Sequence, residues 1–146
     1  MSLIENKKAH LRFEVLETYQ AGLELSGAEA KAIRQKHGKL DGARVLVRGG
    51  EAYIIGMSVP PYQVANTPAG YEPARPRKLL LKKKEIAELL EAEAKKGLTV
   101  VPLEVYSSGR YLKIRVAIVR GKNKEDKRED MKKKDAQREA SRLLKR

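Results

Sequence analysis

Apolar positions recur along the chain with two different periods. In 13–19 and 21–25, Phe13 with Val15 and Leu23 with Leu25 are spaced by two, the alternation of half-buried strands, and Gly22 reads as a bulge between them. Gly27 then opens an Ala-rich segment in which Ala30, Ile33 and His37 share one helical face, with Gly38 as the C-terminal cap. The runs ARVLVR and EAYIIGMSV flank Gly49-Gly50, a strong hairpin signal because both glycines accept positive φ. A loop from Val59 to Pro76 holds five of the six prolines. Lys82 to Lys96 predicts a second helix with Ile86, Leu89 and Leu90 inward and Gly97 at its end. LTVVPLEVY and YLKIRVAIV form a second hairpin around Ser108-Gly109. In it Leu112, Ile114, Val116 and Ile118 alternate with Lys113 and Arg115, and Pro102 marks an edge position or a bulge.

Six short antiparallel strands and two helices, without a repeated strand-helix-strand unit, predict a mainly β fold: a small OB-like barrel with flanking helices. At 146 residues the chain is expected to be one domain able to fold without metal or disulfides.

Charge divides the chain. Residues 1–119 carry 20 basic and 13 acidic side chains, a net +7, whereas 120–146 carry 12 and 6, a net +6 in 27 residues. Met131, Leu143 and Leu144 are the only large apolar residues of that last stretch, too few for a core. The expected division is therefore a barrel domain at 1–119 and a basic tail at 120–146, disordered when free and helical on a surface that neutralises its cations. A merely solubilising tail is the simpler reading of such a charge run.

Candidate chemistry is sparse. There is no cysteine, which excludes disulfides, thiol catalysis and Cys-ligated metal, and two histidines cannot make a His cluster. Neither a GxxxxGK[ST] nor a GxGxxG loop occurs. Gly56-Met57-Ser58-Val59-Pro60 departs from a nucleophile elbow at its last position, and Ser58 reads more simply as a strand end. His37 reads as a helix cap or dipole partner. No enzyme, cofactor or metal is expected. No apolar run approaches the roughly 20 residues that span a bilayer, and the first ten residues lack the apolar core of a signal peptide. A cytoplasmic, monomeric protein without a membrane or small-molecule partner is expected.

The net +13 predicts a polyanionic partner. Body cations gather at Lys7, Lys8 and Arg12, on the first helix (Lys31, Arg34, Lys36, Lys39), and where the loop meets the second helix (Arg75, Arg77, Lys78, Lys82, Lys83, Lys84). With aromatics at 5%, backbone and shape recognition of a folded RNA fits better than stacking on a single strand. Any one such cluster is more often just a solvated surface.

The chain resembles the SsrA-binding proteins, also called small protein B. The resemblance runs through Asn6-Lys7-Lys8-Ala9, Leu16-Glu17-Thr18-Tyr19 with Ala21-Gly22-Leu23, and Gly27 with Glu29, Lys31, Ile33 and Arg34. It continues in Gly50-Glu51-Ala52-Tyr53, Pro61-Tyr62, Arg77-Lys78-Leu79-Leu80-Leu81, Lys96 to Leu103 with Tyr106, Arg120-Gly121-Lys122 and Asp126-Lys127-Arg128. Each piece alone is weak; their order across the chain is specific.

The resemblance implies an adaptor of trans-translation that binds the tRNA-like domain of transfer-messenger RNA (tmRNA) and carries it to stalled ribosomes, with the tail entering the empty mRNA channel near the small-subunit decoding region. Asn6 and Leu80 match places the family uses for RNA contact, with Arg77 and Lys78 as phosphate partners beside Leu80; Leu80 is equally readable as a core residue. Lys7, Lys8, Lys31, Arg34 and Arg75 complete the RNA-binding candidates together with Gln20, which stands where the family usually has Glu. Asp126, Lys127 and Arg128 match the ribosome-side motif, with Lys122, Lys124, Lys132, Lys133, Lys134 and Arg138 as its cationic surroundings. Glu125 replaces a frequent aromatic or His, Leu11 a frequent His, and Ala30 and Ala32 the usual Val and Ser. A general ribosome-associated RNA-binding protein or RNA chaperone is the alternative; a membrane-surface protein ranks last because Leu143 and Leu144 are a weak apolar anchor.

Overall fold

The computed structural model describes residues 2–63 and 69–121. The elements are β1 (Ser2–Glu5), α1 (Ala9–Arg12), β2 (Phe13–Leu23), α2 (Gly27–Arg34), β3 (Arg44–Arg48), β4 (Glu51–Ile55), β5 (Arg77–Leu80), α3 (Lys83–Ala94), β6 (Leu98–Ser108) and β7 (Tyr111–Gly121). The strands form one antiparallel sheet in the order β1-β6-β7-β2-β5-β4-β3. β3, at the far edge of that order, comes back against β6, so the sheet curls into a partly open, OB-like barrel.

The core fills the concave side. Tyr19, Ala21 and Leu23 of β2, Val45 and Val47 of β3, Ile54 of β4, Leu79 of β5 and Ile114 and Val116 of β7 meet Ala32 and Ile33 of α2 and Ile86 and Leu89 of α3. α3 is tied to the barrel by polar contacts as well. The Tyr19 hydroxyl donates to Glu88 Oε2 at 2.7 Å, and the Val47 N–H and Arg48 Nη1 donate to Glu93. Burial, and then the bond to Glu88, push the Tyr19 phenol well above its ordinary pKa.

Several sequence expectations change. The two strands at 13–19 and 21–25 are one strand; its bulge lies between Val15 and Glu17, and Gly22 stays in register with Lys113. α2 ends at Arg34. The left-handed residue there is Lys36 (φ 64), which closes the helix through Lys36 N–H to Ile33 O and His37 N–H to Ala32 O. Gly38 is extended and not a cap; a Cβ there would lie 2.6 Å from Ile4 Cδ1, so its bareness serves the packing of β1. His37 is exposed, with its ring 6.2 Å from that of Tyr62, and the buried face of α2 is Glu29, Ala32 and Ile33. Ala32 is fully buried, in a place where a hydroxyl would need a partner.

β4 stops at Ile55 because Gly56 turns away at φ 81, and Ser58 instead pairs with Lys39 in an isolated bridge. The first hairpin turns on Gly49-Gly50 as expected, with both at positive φ; the second turns on Gly109-Arg110, one residue later than expected. Pro102 marks a bulge in β6. Leu90 faces outward, 51% exposed. β1, β5 and α1 were not expected, and β7 runs two residues past Val119, pairing Gly121 with Phe13.

Candidate nucleic-acid interface

β5, β2, β7 and β6 are consecutive in the sheet; their convex side carries polar residues at Gln20, Lys78, Lys113 and Arg115, and farther along β7 a second small apolar cluster around Val101, Ala117 and Val119. On β2, Gln20 and Gly22 face outward between buried Tyr19, Ala21 and Leu23. Gly22 is flanked by Lys113 of β7 on one side and Leu80 of β5 on the other. Gln20 stands opposite Arg115. β5 alternates in the same way, with Arg77 and Leu79 inward and Lys78 and Leu80 outward.

Leu80 is 54% exposed, which removes the reading of it as a core residue. Its side chain lies over Gly22, where a Cβ would come 3.0 Å from Leu80 Cβ; the glycine makes room for an exposed apolar knob beside Lys113. Lys78 is half-exposed and paired with Glu51 at 3.2 Å.

Farther along the same strands lies an open groove of about 830 Å³, lined among others by Asn6, Lys7, His10, Gln20, Glu104 and Arg115. Asn6 is buried. Its Nδ2 donates to Pro102 O at 2.9 Å and its N–H to Leu103 O at 2.8 Å, so its amide is used inside the protein, at the β6 bulge. Lys7 and Gln20 are exposed beside it.

The remaining candidates separate. Lys8 lines a different hollow with Arg12, Asp41 and Arg44. Lys31 and Arg34 are exposed on α2, where Arg34 Nη2 donates to Arg110 O at 2.7 Å and fastens the helix to the β6–β7 turn. Arg77 requires a correction: at 0% exposure it has no access to a phosphate. Its Nε donates to Glu29 Oε2 at 2.6 Å, and its other nitrogens donate to the carbonyls of Met57, Pro73 and Arg75. Arg75, partly exposed, donates to the same carboxylate. Glu29 also closes the N-terminus of α2, accepting from Ser26 N–H while Ser26 Oγ accepts from Glu29 N–H. Burial pushes the Glu29 carboxyl up, but the bonds from Arg75 and Ser26 and the charge of Arg77 outweigh it and hold it below the usual carboxylate range.

Lys113 and Arg115 join this face without having been among the residues the sequence singles out as RNA-binding candidates. Their signal was present in the alternation of YLKIRV, whose outward positions are an aromatic and two cations. Lys122, Lys124, Asp126, Lys127, Arg128, Lys132, Lys133, Lys134 and Arg138 lie outside the described residues. Among the described residues no group of three His, Asp or Glu side chains is placed to hold a metal, and no helix is long and apolar enough to cross a membrane.

A curled antiparallel sheet with cations, the exposed Leu80 and the exposed Tyr111 on its convex face defines a small β-barrel binding protein. The family model described as SmpB protein matches residues 3–146, and the chain belongs to that family. It is 42% identical over 144 residues to the SsrA-binding protein of Microcystis aeruginosa, covering 99% of this chain and 94% of that one. It is 44% identical over 140 residues to that of Mesoplasma florum, covering 96% and 94%. It also matches, at 41% identity and a TM-score of 0.67, a chain in a solved structure described as "tmRNA-SmpB: a journey to the center of the bacterial ribosome", covering 86% of this chain and 91% of that one.

Proposed function

We propose that this protein is the RNA-binding adaptor of trans-translation: it binds the tRNA-like domain of tmRNA through the convex face of β5, β2 and β7 and delivers that RNA to stalled ribosomes in the cytoplasm. The observation that carries this reading is the meeting of Leu80, Gly22, Lys113, Gln20 and Arg115 across three adjacent strands. Two cations and an amide suit phosphates and sugar edges, and Leu80 suits an unpaired base or the face of a bent RNA. Membership of the SmpB family supports the choice of RNA.

Lys7, Lys31, Arg34 and Lys78 extend the cationic surface, Lys8 and Arg75 lie at its margins, and Asn6 and Arg77 act by holding the frame. The tail cations between Lys122 and Arg138, together with the acidic Asp126 that precedes Lys127 and Arg128, are assigned to the ribosome because their charge density is separate from the barrel's. The protein performs no chemistry of its own in this scheme.

The experiment is the sequencing of RNA that stays bound to the full chain after a moderate-salt wash. One discrete RNA species is expected. A heterogeneous mixture would favour a general RNA chaperone. Reversing the charges of Lys127 and Arg128 should leave binding to the tRNA-like domain intact and abolish rescue of stalled ribosomes.

A further inference from the structure

Arg115 occupies an unusual place in the groove. Its Nη1 donates to Glu104 Oε1 at 2.8 Å, its guanidinium carbon lies 5.6 Å from the centroid of the Tyr106 ring, and Gln20 is its partner across the β2–β7 ladder. A carboxylate in a groove meant for phosphate repels the ligand, so Glu104 needs another reason to be there.

The β6 bulge supplies one. Pro102 pairs with Val116 and Glu104 with Arg115, so Leu103 is the extra residue. If the same residues ran without a bulge, strict alternation would turn Glu104 toward the core and leave Arg115 facing Leu103. Asn6 bonds to the carbonyls of both Pro102 and Leu103 and thereby fixes the bulge. Glu104 is then aimed at Arg115 by a chain of contacts that begins at Asn6.

An arginine carries five donors in a planar fork, and this pair uses Nη1. Glu104 on one edge and the Tyr106 face beneath set the plane of the guanidinium, whose side chain remains 40% exposed. An arginine held in this way has lost its rotamer freedom on folding and does not lose it again on binding.

Resting on the RNA-binding reading above, we propose that Arg115 is a phosphate contact for the folded RNA and that Glu104 is the residue that positions it, through the bulge pinned by Asn6. The chemical class recognised is a phosphate presented at a fixed place on the convex face.

The test turns on a reversal of sign. Glu104→Gln makes the protein more positive by one charge, which by simple electrostatics tightens RNA binding. The positioning role predicts the opposite. In titrations of the full chain with a transcript of the tRNA-like domain of tmRNA, Glu104→Gln should weaken binding roughly three- to tenfold. Arg115→Ala should weaken it at least as much, and adding Glu104→Gln to Arg115→Ala should cost nothing more. Equal or tighter binding by Glu104→Gln, or additive losses in the double variant, would overturn the proposal. If Glu104→Gln does not fold, Arg115→Lys decides: it keeps the charge without the planar fork, and wild-type affinity would overturn the proposal. An independent readout is the Arg115 Nε–H order parameter in the free protein, expected to be high in the wild type and to fall in Glu104→Gln. An unchanged value overturns the positioning role whether or not RNA binds. Failure of the wild type to bind the transcript would instead overturn the function from which the phosphate was inferred.

Discussion

Arg77 and Glu29 form an ion pair in which neither side chain reaches solvent, with 2.6 Å between Arg77 Nε and Glu29 Oε2. The pair joins the start of α2 to β5, and Arg75 adds the end of the proline-rich loop to the same carboxylate. One carboxyl group thus ties α2 and the end of the loop to β5, the strand that carries Leu80. Removing one member of a buried pair strands the other, at a cost of about 3–5 kcal/mol. Glu29→Gln should show this loss in denaturant titrations, whereas Arg75→Ala should lose no more than about 1–2 kcal/mol because Arg77 remains to neutralise the carboxylate.

The same group gives the protein a direction of pH response. The folded state holds the Glu29 carboxyl below its ordinary pKa of 4.5, so its stabilising contribution is complete above that value and is lost as pH falls through the lower folded-state pKa. The melting temperature should fall on acidification below about 4.5. Glu29→Gln should begin lower and decline less steeply over that interval, a comparison that differential scanning calorimetry can make directly.

Gly22 and Leu80 predict a functional defect without unfolding. A methyl at position 22 would meet Leu80 Cβ at 3.0 Å and Cδ1 at 3.2 Å, and an exposed leucine can move away. Gly22→Ala should leave the thermal melt within about 1 kcal/mol of the wild type while weakening RNA binding roughly tenfold through the displaced Leu80. Gel-shift titrations beside circular dichroism melts would separate the two effects.

Tyr19→Phe removes the bond from β2 to Glu88 of α3 while keeping the buried ring. A hydrogen bond to a charged acceptor is worth about 1.5–3 kcal/mol, and the lower end is expected because Glu88 retains access to solvent. RNA affinity should not change, since α3 lies on the concave side of the sheet.

Much of the fold was legible where the period of two ran long enough to be unambiguous. The β3–β4 hairpin follows from alternation and paired glycines, the β6–β7 hairpin from alternation around Gly109 and α3 from its helical apolar spacing, while Pro102, readable as an edge position or a bulge, marks a bulge. β1 and β5 were not legible because four residues hold too few alternations to stand out beside a loop. The run Arg75, Arg77, Lys78 read as one basic cluster, yet strand geometry turns Arg77 inward and Lys78 outward. RKLL, two cations followed by two leucines, carries no polar-apolar alternation to show this, and the partner that permits a buried arginine is Glu29, 48 residues earlier. Lys113 and Arg115 were visible as outward positions of a strand. Only the β2–β7 ladder sets them beside Gly22 and Gln20.

RNA proposed to bind on the convex face of β5, β2 and β7 should crosslink to the residues of that face. The full chain bound to a transcript of the tRNA-like domain would be irradiated and its crosslinked residues mapped by mass spectrometry. Crosslinks concentrated at 78–80, 20–22 and 111–115 are predicted. Crosslinks confined to α3 and the β3–β4 hairpin, with the convex face untouched, would place the RNA elsewhere on the protein and rule out the convex face as its binding surface.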